Sequence, residues 1–319
     1  MTFFVRQPVF YPVSVVFLDD NPDFLNALRG LFPDGRTNRF FTKPQAALSF
    51  MSARHHEQLR RMPSLGFSDF EQNGTTAIGQ DVLIDDSRFE EVAAIVVDYE
   101  MPEMNGIEFL SSINNVACTK ILLTGIAGDS EAVDAFNSGL IDFYLKKSDP
   151  RMAEKLAAYL ADAQTKHCVA RGHISLHSVG ATYCDPTTVA VLNEIVTRER
   201  IAEYYWRPEQ NAILMFDFAG NPSIFLAWGN ADWLFQCDIV TDEGGPATLR
   251  QEMEARRIMP LFWPLQAYRH GMTNMRSASP IPIPGRSDAF YSWTRLDSSG
   301  PKPEPLTFAR WRENRDVDR

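Results

Sequence analysis

The chain has 319 residues, 45% of them hydrophobic and 23% charged, and carries a formal net charge of −10. This is a folded, globular composition, long enough for two domains of ordinary size. Residues 1–167 hold 15 basic and 23 acidic side chains and residues 168–319 hold 16 and 18, so neither half has the positive bias that marks a phosphate-backbone binder. The cysteines Cys118, Cys168, Cys184 and Cys237 are too few and too scattered for a disulfide scaffold and fit a reducing cytosol. The N-terminus lacks a basic region, a small-residue cleavage site and a long apolar run. Neither a signal peptide nor a membrane span is expected, and the expected location is the cytoplasm.

Val13 to Leu18 is an apolar run that ends in Asp19-Asp20; Asn21-Pro22 makes a turn, and Phe24, Leu25, Leu28 and Leu31 repeat at helical spacing. Arg39 to Thr42 reads as a short second strand and Pro44 to Phe50 opens another helix. Residues 52–91 are polar and irregular, with Gly66, Gly74 and Gly79, and read as a surface insertion. Ala94 to Val97 are apolar without alternation, as in a strand buried on both faces, and Asp98 stops the run. Met101-Pro102 and Asn105-Gly106 then make a turn, and Ile107, Phe109 and Leu110 restart a helix. Lys120 to Leu123 is the next buried strand, ending in Thr124-Gly125, with a helix from about Ser130 to Asn137 closed by Gly139. Asp142 to Leu145 is a last short strand ending in Lys146-Lys147, before a final helix containing Met152, Leu156, Tyr159 and Leu160. Five strand–helix units in succession predict a doubly wound α/β fold, a five-stranded parallel sheet with its chemistry at the carboxyl ends of the strands.

Asp19 and Asp20 follow the first strand, Asp98 the third, Thr124 the fourth and Lys146 the fifth, with Pro102 and Gly106 in the turn. On that ordered set, residues 13–164 resemble the receiver domain of two-component response regulators. The resemblance implies a flavodoxin-like fold and a phosphorylated aspartate at Asp98, which the receiver itself phosphorylates and dephosphorylates. It also implies an acidic pocket of Asp19 and Asp20 for Mg2+, with Asp20 a direct ligand, Asp98 a further one and the backbone carbonyl of Glu100 another. Thr124 and Lys146 would meet phosphoryl oxygens, and Phe143 would be the aromatic switch. The implied partner is a sensor histidine kinase or phosphotransfer protein. Phosphoryl transfer needs charge neutralised around three oxygens. A carboxylate cluster that a hard cation relieves, a lysine point charge and a hydroxyl donor supply this. Three features depart from the family: Lys147 stands where a proline usually follows the lysine, Glu100 adds a carboxylate beside the site, and the insertion at about 52–91 is unusual.

The implied domains are a receiver over 1–165 with that insertion, and an output domain over 166–319. In the second half Cys168, His173, His177 and Cys184 lie close in sequence, but without the paired cysteines of a zinc site. Pro186 to Tyr205 reads as one helix with a stripe of Val189, Leu192, Ile195, Val196, Ile201 and Tyr204. Ala212 to Phe218 and Ser223 to Trp228 read as a hairpin around Ala219-Gly220-Asn221-Pro222, and Met259 to Pro264 as core. The expected class is a small α+β domain with antiparallel strands. It shows no helix-turn-helix, cyclase, phosphodiesterase, Walker or kinase motif and no visible nucleophile–base set, so an enzymatic output on a small molecule stays open only as a third reading. The leading reading is therefore a response regulator whose output works by protein contact, or by pairing two receivers through their last helices, with no membrane and no nucleic acid as partner. The alternative is a phosphorylation-controlled transcriptional regulator, with Arg198, Arg200, Arg207, Arg256 and Arg257 as phosphate contacts.

Overall fold

In the computed structural model of the chain, residues 8–32, 37–61, 83, 86–125, 129–172, 179–273, 275–297 and 306–317 are described. The chain divides into two compact units: Pro12–Thr75 with Asp86–Ala170, and Met1–Tyr11 with Thr76–Asp85 and Arg171–Arg319. The first strand, β1 (Val9–Phe10), pairs antiparallel with Tyr204 and Tyr205 of the second unit. The chain start, grouped with the receiver by sequence order, is therefore a strand of the other sheet.

The first unit contains β2 (Ser14–Leu18), α1 (Pro22–Leu31), β3 (Arg39–Phe41), α2 (Pro44–Arg61), β4 (Val92–Asp98), α3 (Gly106–Ser112), β5 (Thr119–Thr124), α4 (Asp129–Asn137), β6 (Phe143–Lys146) and α5 (Met152–Gly172). All four strand pairings are parallel, in the order β3-β2-β4-β5-β6. Period-2 alternation splits the core between the two faces of this sheet. Val16, Leu18, Ile95, Val97 and Leu122 pack with Met51, Phe109 and Leu110 on one side. Phe17, Val96, Ile121, Leu123 and Leu145 pack with Leu25, Leu28 and Leu156 on the other. Every residue of β4 is buried, as a strand covered on both faces requires. The sheet is doubly wound, as the sequence pattern predicts.

The helix starts beside the strand ends are fixed by their own side chains. Asn21 caps α1, its Oδ1 accepting from the backbone of Asp23 and Phe24, with Pro22 following. Asn105 and Glu108 form a reciprocal capping box on α3. The expected surface insertion needs a correction at its C-terminal end. Helix α2 runs on to Arg61, and a 3-10 turn over Asp86–Glu90 buries Arg88 and Phe89 before β4. Phe89 is an apolar ring beside a guanidinium whose carbon lies 4.1 Å from the ring centroid, so this part is core rather than surface.

The second unit holds α6 (Ala181–Cys184), α7 (Pro186–Arg198), β7 (Ile201–Arg207), β8 (Ala212–Asp217), β9 (Pro222–Trp228), α8 (Asn230–Asp242), α9 (Ala247–Glu254), β10 (Met259–Leu261), β11 (Arg276–Ala278), β12 (Ile281–Pro282), β13 (Phe290–Arg295) and α10 (Phe308–Val317). An antiparallel six-stranded sheet runs β1-β7-β8-β9-β13-β12. The expected β8–β9 hairpin is present. The single helix expected over Pro186–Tyr205 is two elements: α7 stops at Arg198, Arg200 takes a left-handed φ of 52°, and β7 begins at Ile201. Bulky aromatics at Tyr204, Tyr205 and Trp206 favour the pleated conformation, and the antiparallel partners complete it. Glu203 is fully buried and accepts from the Tyr205 hydroxyl and from the backbone of Phe308 at the start of α10. Val189 of the expected apolar stripe is exposed. His173 and His177 lie outside the described residues; Cys168 is buried and Cys184 exposed.

Candidate functional site

Asp19 and Asp20 follow β2, Asp98 ends β4 and Thr124 ends β5, so adjacent parallel strands deliver four side chains to one edge of the sheet. One oxygen from each of Asp19, Asp20 and Asp98 lies within 4.8 Å of the others. Asp19 and Asp98 are buried and Asp20 is exposed, giving the cluster two fixed walls and one solvent-facing side. Asp19 is oriented by the backbone N–H of Asn21, which donates to its Oδ1 at 2.9 Å.

The cation at this edge is Lys147. Its Nζ lies 2.7 Å from Asp19 Oδ2 and 2.9 Å from Asp98 Oδ1. The lysine expected from the sequence, Lys146, is the last residue of β6, pairs with Thr124 across the ladder and points its side chain into solvent. The correction follows from the pleat. Phe143 and Leu145 face the core, Tyr144 and Lys146 face out, and the next residue returns to the core side. The backbone N–H of Lys147 donates to Thr124 O at 2.8 Å, which continues the pairing by one residue and carries its side chain over the carboxylates. The expected switch ring, Phe143, stacks on Tyr159 of α5, with ring centroids 4.0 Å apart. Its neighbour Tyr144 is the exposed aromatic, edge-on to Phe136. Glu100 is exposed and outside the carboxylate cluster.

The electrostatics are those of a site short of positive charge. Burial raises the pKa of the Asp98 carboxyl; the hydrogen bond from Lys147 opposes this, and Asp19 and Asp20 add to the rise. Burial also acts to lower the pKa of the Lys147 ammonium, but the hydrogen bonds to Asp19 and Asp98 outweigh it and the net shift is upward. One lysine therefore serves two buried carboxylates. Thr124 is fully buried and its hydroxyl has no partner. A buried orphan hydroxyl beside three carboxylates suits a ligand that brings oxygen acceptors, and three carboxylate oxygens suit a hard divalent cation such as Mg2+.

Gly106 keeps this edge open. A Cβ there would stand 2.4 Å from the Asp98 carbonyl oxygen and 2.8 Å from Leu122 Cδ1. The N–H of Gly106 donates to Tyr99 O at 2.9 Å, which closes the turn after Asp98. Phe24 was read from sequence only as part of a helical stripe, yet its ring sits under the Lys147 ammonium, 4.7 Å from centroid to Nζ.

Residues 68–158 match the family model of the response regulator receiver domain. The first unit, with its five-stranded parallel sheet, resembles a receiver domain. Over 97 residues the chain is 36% identical to the protein-glutamate methylesterase/protein-glutamine glutaminase of Treponema denticola, a match that covers 28% of this chain and 24% of that protein. The match thus spans about a quarter of the relative's length. The response regulator LqsR of Legionella pneumophila superimposes with a TM-score of 0.73 at 24% identity, covering 100% of this chain and 98% of that one. At that identity the likeness concerns the fold, and it extends beyond the receiver into the antiparallel unit. The receiver-domain match supports a two-component response regulator. No helix among the described residues is long and apolar enough to cross a membrane.

Proposed function

We propose that the chain is a two-component response regulator whose receiver accepts a phosphoryl group on Asp98 from a histidine kinase or phosphotransfer protein. In this reading it signals through the antiparallel unit by protein contact. The observation that carries it is Lys147 bridging Asp19 and Asp98 next to the unpartnered Thr124 hydroxyl. In the transfer, an Asp98 carboxylate oxygen attacks phosphorus, the new O–P bond forms as the P–N bond to the donor imidazole breaks, and the nitrogen leaves with the electron pair. Lys147 holds the Asp98 carboxylate in place and supplies positive charge to a phosphoryl oxygen. Thr124 donates its hydroxyl to another. Asp20 and Asp98, with Asp19 behind them, would hold Mg2+, which supplies charge neutralisation between the carboxylates and the phosphoryl oxygens.

Protein contact, rather than DNA, is favoured for the output by the state of its arginines. Arg198 pairs with Glu194 and Glu199, and Arg257 with Glu252. Arg256 lies over the Trp233 ring and bonds Asn230. Burial lowers the Arg207 pKa, which marks that guanidinium as withdrawn from solvent. Four of the five arginines open to a phosphate role are thus engaged within the unit.

Incubation with acetyl phosphate and magnesium should add one phosphoryl group to the wild type and none to Asp98→Ala; equal labelling of the two would refute the assignment. Sequence-specific retention of genomic fragments by the phosphorylated protein would refute protein contact and establish the transcriptional alternative.

A further inference from the structure

Lys147 has a third neighbour that the phosphorylation reading does not use. Phe24 stands in the first turn of α1, where its N–H donates to Asn21 Oδ1 at 3.2 Å, while the N–H of Asn21 donates to Asp19 Oδ1 at 2.9 Å. The cap that fixes the acid therefore fixes the ring. Phe24 is half-buried against the core of this sheet face, and its π cloud faces the ammonium at 4.7 Å. One oxygen of Asp19 and one of Asp98 lie at ion-pair distance from Lys147 Nζ, 2.7 and 2.9 Å, and an ammonium carries three N–H donors. A ring attracts the charge without accepting a directional hydrogen bond, so it confines Nζ and leaves the third donor free for an incoming acceptor. A lysine on a four-carbon stem, a quarter exposed, would otherwise sample many rotamers.

We propose that Phe24 is a positioning residue for phosphoryl transfer: its aromatic face holds the Lys147 ammonium over Asp19 and Asp98. The inference rests on the phosphorylation of Asp98 and adds the ring that presents the lysine. The competing role, plain core packing, is met equally by an aliphatic side chain of similar size, and this separates the two.

The test uses the full chain with Phe24→Leu, which keeps apolar volume, and Phe24→Tyr, which keeps the ring; Phe24→Met replaces the leucine variant should that one not fold. Two readouts are taken: the rate of Asp98 labelling by acetyl phosphate with magnesium, and the ring-current shift of the Lys147 ε-methylene protons by NMR without any phosphodonor. The leucine variant should label roughly three- to tenfold more slowly, the range a partly desolvated cation–π contact supplies. It should bind magnesium within about twofold of wild type and lose the ring-current shift. The tyrosine variant should restore both rate and shift. Wild-type labelling by the leucine variant, or a tyrosine variant as slow as leucine, would overturn the proposal while Asp98 phosphorylation stands. A wild type that labels no better than Asp98→Ala would overturn the phosphorylation reading and this inference with it.

Discussion

The assignment of Lys147 rather than Lys146 can be tested through folding alone. Lys147→Ala removes the ammonium that Asp19 and Asp98 share, and these carboxylates expose only 2% and 6% of their side chains. Removing one partner of a fully buried ion pair costs about 3–5 kcal/mol, and an exposed pair about 0–1 kcal/mol. The lysine itself is 25% exposed and Asp20 is open to solvent, so water reaches part of the cluster. Between those limits we expect a loss of roughly 2 kcal/mol without a divalent cation. Lys146→Ala, on the outer face of β6, leaves the ion pairs to Asp19 and Asp98 in place and should cost less than Lys147→Ala. All six tryptophans lie at Trp206 or later, outside the receiver, so their fluorescence follows the second unit. Urea titrations in chelator should therefore be read by far-UV circular dichroism, with tryptophan emission as an internal control that both variants leave unchanged. Saturating magnesium should narrow the gap between Lys147→Ala and wild type, since a bound cation takes over part of the neutralisation. A Lys146→Ala loss equal to or larger than that of Lys147→Ala would refute the placement.

Further outcomes follow from the same geometry. Gly106→Ala drives a methyl group against the Asp98 carbonyl, a backbone atom that cannot step aside; we expect a loss of roughly 2–4 kcal/mol and weaker labelling of Asp98, and an alanine variant of wild-type stability would contradict it. The Asp98 carboxyl is shifted upward from an ordinary value of 3.8, mainly by burial. The stability contributed by its neutral form is full below that ordinary value and is lost as pH rises through the raised folded one. In chelator Asp98→Asn should thus be more stable than wild type at pH 7, with the two converging in acid; a less stable variant at pH 7 would reverse the sign. Burial pushes the Cys118 thiol up to about 12, while Cys184 is exposed. Iodoacetamide at pH 8 should alkylate Cys184 first, and mass spectrometry finding Cys118 first would count against the burial of that thiol.

The receiver was legible because its signals are local and redundant. A short run such as Ala94 to Val97, bounded by Asp98 and the Pro102 and Gly106 breakers, fits a strand buried on both faces with a turn after it. The second unit was less legible because its decisive contacts are remote in sequence. Ile201 and Tyr204 extend the apolar spacing of the preceding helix, and nothing local shows that Tyr204 will pair with Phe10, nearly two hundred positions earlier. The same holds for Glu203. Its charge signals a surface residue by frequency, whereas the groups that bond it in the interior include the Tyr205 hydroxyl and the start of α10, a hundred residues on.

The carboxylate cluster was readable from strand ends alone, whereas its cation was not. Lys146 and Lys147 are adjacent and chemically identical, so composition cannot separate them, and the family pattern favours the first. What separates them is the pleat: one residue along a strand reverses the side chain, and a register error of one moves a charge from pocket to solvent. Leu145 supplies the phase. It is buried on the face shared with Leu156, so the residue two further on returns to that side and the residue between does not. The burial of Leu145 and the exposure of Tyr144 would have selected Lys147 had the alternation been carried to the end of the strand. The pairing of Lys147 N–H with Thr124 O extends that alternation past the last assigned residue of β6; Leu145 is the residue level with Leu123 and Asp98, and Lys147, two positions beyond it on the same face, reaches the Asp98 carboxylate with its side chain.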